Sequence, residues 1–172
     1  MRESLIPRGP DDTLASSEPS PEKEQRPEKL TFEESSGSFR YDRIPYEIRY
    51  NLNAATIRDA EGTFLDETFP ANWLLMPDEH PRPDSYVEMW VHETCPPQYK
   101  HIVMYHELVE AELVLCDNID HKKAHNIAVD ATDAYAEAHL SPKGYEEYKE
   151  WERKTLGDDI IDGRSKPRDS NP

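Results

Sequence analysis

The chain has 172 residues, of which a third are charged and 35 % apolar, and a formal net charge of −16. That length accommodates one domain plus tails, with a small core. The charge excludes nucleic-acid backbones and anionic membranes as partners, since both demand basic patches, and leaves a cationic partner or simple solubility as its use. No apolar run approaches the roughly 20 residues needed to span a bilayer, and the opening MRESLIPRGPDD lacks the apolar stretch of a secretory signal. The two cysteines, Cys95 and Cys116, form no zinc-ribbon spacing and are too few for a disulfide framework. Two reduced thiols in a cytoplasmic protein are expected.

Fifteen prolines against six glycines point to stiff, extended connections. Residues 1–38 are rich in Pro, Ser and Glu and poor in aromatic and β-branched side chains, so they are expected to form a disordered tail. Order is expected from Phe39 to residue 156. Ile44, Tyr46, Ile48, Tyr50 and Leu52 alternate with polar neighbours, the period of a half-buried strand. Phe64, Leu65, Phe69, Trp73, Leu74, Leu75 and Met76 supply bulky core material, and residues 77–83 read as loop. Tyr86 to His92, with Val87, Met89 and Val91 on one face, predicts a second strand.

Helices follow. Thr94 and the two prolines after Cys95 make a good helix start, predicting a helix over 97–115. A polar break at 117–120 leads to a second helix over 119–139. Ser141-Pro142 caps a third, shorter one, with Tyr145, Tyr148 and Trp151 recurring every third residue as a packing face. The stretch 157–172 reads as a second disordered tail.

The candidate chemistry sits on the first two helices. Ile102, His106, Val109, Glu110 and Leu113 fall within one arc, and the opposite side is apolar too, as in a buried helix. His106 and Glu110 lie one turn apart on that surface. A buried carboxylate is normally paired or metal-bound, because its uncompensated burial is costly. On the second helix His125 is centred on a stripe of small and apolar residues that includes Ala128, Thr132 and Tyr135. A connection of only a few residues makes the helices pack antiparallel. His106, Glu110 and His125 then meet as two imidazoles and one carboxylate, the donor set of an open catalytic zinc site. A set leaning on oxygen suits manganese or iron nearly as well.

The run His106-Glu107-Leu108-Val109-Glu110 resembles the HExxH signature of zincin metallopeptidases, with glutamate replacing the second histidine. In gluzincins the third ligand is a glutamate on the next helix, and here His125 occupies the comparable place. HExxE followed by Ala124, His125 and Ala128 also looks like short zincin-like proteins of bacteria and phages. The resemblance spans residues 86–140. It implies that Glu107, turned about 100° from His106 on the helix, is the general base that takes a proton from the attacking water. Tyr105, Tyr135 or His121 would stabilise an oxyanion, and Asp133 would orient His125. The strand at 86–92 would hold an extended peptide by backbone pairing.

The expected architecture is therefore α+β and zincin-like: two or three strands packed on a buried antiparallel helical hairpin, with disordered ends. The expected function is a zinc-dependent hydrolase acting on a peptide or protein substrate. Two alternatives stand beside it. One is a non-catalytic interaction module in which a metal or polar cluster holds the hairpin together. The other is a manganese or iron site doing non-peptidase chemistry, with Asp130 or Asp133 as extra ligands.

Overall fold

The computed structural model describes residues 28–65, 68–77 and 81–157. Among these the chain forms six strands followed by three α-helices, an α+β arrangement. The strands are β1 (Ser36–Tyr41), β2 (Ile44–Ala54), β3 (Ile57–Arg58), β4 (Phe64–Leu65), β5 (Ala71–Met76) and β6 (Tyr86–His92). Four of them make one mixed sheet in the order β1-β2-β6-β5. β1 and β5 run antiparallel to their neighbours, while β2 and β6 are parallel. β3 and β4 form a separate two-stranded hairpin.

The main sheet is larger than the two or three strands expected. β2 and β6 follow the anticipated alternation, but β1 and β5 were hidden. β1 begins inside the stretch read as a disordered tail, and residues 28–38 belong to the fold. Their anchors are few but large: the Phe32 ring packs against Phe39 and Tyr50 at centroid distances of 6.2 and 4.9 Å. Residues 1–27 and 158–172, also expected to be tails, lie outside the described residues. Phe64 and Phe69, expected in the core, are exposed, and Phe64 lies against the Arg58 guanidinium instead.

One face of the sheet carries the core. Ile48, Val87, Met89 and Val91 are fully buried there, each contributing about 1.5–3 kcal/mol of burial before ordering entropy is subtracted. Helix α1 (Lys100–Leu115) enters through a short 3-10 turn, Pro97–Tyr99, and lays Ile102, Met104, Leu108 and Ala111 into the same core. At its end Asn118 adopts a left-handed φ of 52°, which asparagine tolerates better than most residues. Asp120 then caps α2 (His121–His139) by accepting from the Lys123 amide. The chain reverses within these few residues. Contacts confirm antiparallel packing, since His101 meets Tyr135 whereas Glu110 meets His125. Ala124, Ala128 and Ala136 are fully buried, small side chains that let the two helices approach. Ser141 caps α3 (Pro142–Leu156), whose Tyr148 and Trp151 rings pack on Tyr99. No helix among the described residues is long and apolar enough to cross a membrane.

β6 lies between β2 and β5, so both of its edges are occupied. It cannot hold a peptide by backbone pairing as expected. The strand at the margin of the sheet on that side is β5.

Candidate metal centre

The hairpin brings His106, Glu110 and His125 together, and their donor atoms form a group that could hold a metal ion. Antiparallel packing achieves this because His106 and Glu110 stand one turn apart on α1 and His125 lies opposite on α2. His125 Nδ1 is 3.1 Å from Glu110 Oε2 and 3.2 Å from His106 Nε2. His106 Nε2 is 3.6 Å from the same carboxylate oxygen. A tetrahedral ion with bonds of about 2.0–2.1 Å holds its donors about 3.3 Å apart. The three separations bracket that value, so the residues present fit such an ion. Access is graded: the side chains of His106 and Glu110 are 16 % and 14 % exposed, that of His125 is 40 %. The open side of the group is therefore at His125.

Electrostatics separate the two glutamates of α1. Burial opposes the charge on Glu110, but its contacts with the two imidazoles, His106 and His125, outweigh it and hold this carboxyl below the usual carboxylate range. Glu107 goes the other way. It is the more buried of the pair, and burial, reinforced by the neighbouring Glu110 charge, pushes it well above that range. The two carboxyls stand three residues apart, close to one helical turn, yet one is held charged and the other attracts a proton.

The remaining sequence candidates fall in different places. His121 stands at the rim, largely exposed, with Nδ1 3.7 Å from Glu110 Oε1 and its ring stacked on Trp73 of β5 at 5.6 Å. Asp133 does not orient His125. Its carboxylate accepts from the Tyr145 hydroxyl at 2.8 Å and from Lys149 Nζ at 2.9 Å, joining α2 to α3. Asp130 is exposed and lies outside the donor group. Tyr105 and Tyr135 stack on each other, with centroids 4.0 Å apart. Tyr135 lies ten residues beyond His125, about 15 Å further along the helix. Its hydroxyl accepts from the Leu30 amide at 2.7 Å and sits 3.3 Å from His101 Nδ1. Burial raises it to about 12. Tyr135 thus ties Leu30 to the hairpin, away from the candidate metal centre, with the Tyr105 ring stacked on it.

Sequence reasoning gave Thr132 no role. Its hydroxyl oxygen is 3.2 Å from His106 Nδ1 and 2.6 Å from the Ala128 carbonyl. The available signal was its register: Thr132 lies seven residues, two turns, beyond His125 on one face.

His101, beside Tyr135, yields a pH prediction. Burial, helped by the charges of Lys29 and His139, lowers it from the ordinary histidine value to about 4. The unfolded chain takes this proton first, so the contribution to stability is complete above about pH 6.5 and is lost as pH falls toward 4. His101→Gln should flatten that part of the profile, measured as the difference in urea midpoint between the two proteins at neutral pH and near pH 5. An unchanged difference would contradict this assignment.

No protein-family model matches the chain, and neither does any curated protein or solved structure.

Proposed function

We propose that the chain is a metal-dependent hydrolase of zincin type that cleaves a peptide bond. The observation that carries this reading is the pairing of a His106–Glu110–His125 donor group, spaced for a tetrahedral ion, with a buried, proton-attracting Glu107 on the same helix. In this reading His106, Glu110 and His125 hold zinc, which when bound supplies Lewis acidity and a nucleophilic water at neutral pH. Glu107 takes a proton from the attacking water and passes it to the departing amine. Burial and the neighbouring Glu110 charge raise its proton affinity, the direction that work calls for. Glu110 stays charged and holds the ion.

The substrate in this reading is an extended peptide that adds to the edge of β5 by backbone hydrogen bonds. Support comes from the position of β5 at the sheet margin and from Trp73, which stacks on His121 next to Glu110. Binding there would carry the peptide along the rim of the donor group. Manganese or iron in place of zinc would fit the same donors, and the three-residue set favours zinc because it leaves one tetrahedral position open.

The test is hydrolysis of a mixed peptide library by the full chain, read by mass spectrometry. Cleavage should stop when a chelator strips the protein and return on addition of zinc. Cleavage that persists in the stripped protein, or its absence from zinc-loaded protein, would refute the reading.

A further inference from the structure

The hydrogen-bond arithmetic around Thr132 fixes more than its own position. A threonine hydroxyl has one proton and two acceptor sites. The Ala128 carbonyl, 2.6 Å away, can only accept, so the proton lies on that contact. The opposite arrangement would press two oxygens together at 2.6 Å with no proton between them. Threonine in a helix commonly bonds back to the carbonyl four residues earlier, and Thr132 does so with its residue buried. With the hydroxyl proton committed, the 3.2 Å contact to His106 is a hydrogen bond only if His106 Nδ1 supplies the proton. A neutral imidazole carries a single N–H. In the neutral ring Nε2 of His106 is then left with its lone pair, 3.2 Å from His125 Nδ1, inside the candidate donor group.

From this geometry we infer that Thr132 is a positioning residue that holds His106 in its Nδ1-protonated form, presenting Nε2 as a metal donor before any ion arrives. The inference rests on the reading of His106, Glu110 and His125 as metal ligands. Sequence reasoning placed an orienting group on His125, in Asp133; the orienting group here is a hydroxyl anchored to the backbone of α2, and it acts on His106. The helix that supplies His125 therefore also aligns His106. An imidazole without such a partner divides between its two tautomers and can turn about its side-chain bonds, and both freedoms must be lost on binding. Partners of this kind are typically worth 10–100-fold in metal affinity.

Two variants and two measurements test it. Thr132→Val keeps the branched shape and removes the hydroxyl, whereas Thr132→Ser keeps the hydroxyl. In chelator-stripped protein, long-range proton–nitrogen correlation spectra report which nitrogen of His106 is protonated. Zinc affinity is read by competition with a chromophoric chelator, and thermal melts report folding. The wild-type and Thr132→Ser proteins should show a protonated Nδ1 and similar zinc affinity. Thr132→Val should melt as a folded protein, lose the preference for the Nδ1 form and bind zinc 10–100-fold more weakly. A protonated Nε2 in the neutral His106 of the wild type would overturn the inference. So would equal zinc affinity in wild type and Thr132→Val, an outcome that leaves the metal site itself standing. Failure of the wild type to bind zinc at all would overturn both.

Discussion

Full-length protein purified without a histidine tag should carry close to one equivalent of a divalent ion, and the double change His106→Ala with His125→Ala should remove it. Each substitution deletes one of the three donors around the site, and Glu110 alone is a weak, monovalent anchor. Elemental analysis gives the stoichiometry. Bound metal also stabilises the fold by mass action, about 4 kcal/mol when free ion exceeds its dissociation constant a thousandfold. Chelation should therefore lower the melting temperature of the wild type and leave the double variant unmoved. The alanines also strip Glu110 of the imidazoles that favour its charge, so that variant will lose some stability on its own account. His125→Gln controls for this, since an amide can donate to Glu110 Oε2 but is a poor ligand. It should lose metal while melting closer to stripped wild type than the double variant does. Wild-type protein that is metal-free as purified, and takes up no zinc, manganese or iron, would sink the site.

How much of this was legible beforehand depended on whether the signal was local. Helix starts were readable where proline and serine act on their immediate neighbours, at Pro97 and Ser141, whereas the Asp120 cap went unread and α2 begins at His121 and not at 119. The donor group was readable for a related reason. Helical periodicity puts His106 and Glu110 on one face, and a short connection forces α2 back along α1. The missing strands lacked such signals. β1 lies in a stretch whose average composition is that of a tail, and its order comes from Phe32 and Phe39 meeting Tyr50 across the sheet. No window of neighbouring residues encodes that meeting. Asp133 and Thr132 differ in this respect. Both sit on α2 beyond His125, but Thr132 keeps the register of His125 and faces α1, while Asp133 is turned about 80° from it. Asp133 finds Lys149 on α3, and Thr132 finds His106 on α1.

Glu107→Gln should preserve metal content and folding while lowering hydrolysis by about 10²–10⁴-fold, the usual worth of general-base catalysis. Glu107 is absent from the candidate donor group, so the substitution leaves those three side chains in place. The amide is nearly the same size, and it carries no charge to repel the neighbouring Glu110, whose field helps push Glu107 upward. Stability should thus hold or rise slightly. What the amide cannot do is accept a proton from water at neutral pH, and only catalysis would register that loss. Glu110→Gln should behave differently in every respect. It removes a ligand and the carboxylate on which His106 and His125 converge, at 3.6 and 3.1 Å. Metal affinity should fall, and the buried hairpin should loosen with it. Metal content, melting temperature and peptide cleavage must be measured on the same two preparations, because the pattern across the three readouts carries the discrimination. Equal metal loss in both variants would make Glu107 a ligand and not a base. Full cleavage by Glu107→Gln would end the hydrolase reading whatever ion the protein holds. If α1 and α2 are held together by the metal for structural reasons alone, cleavage will be absent from all three proteins, and the two variants will differ only in metal content and melting temperature.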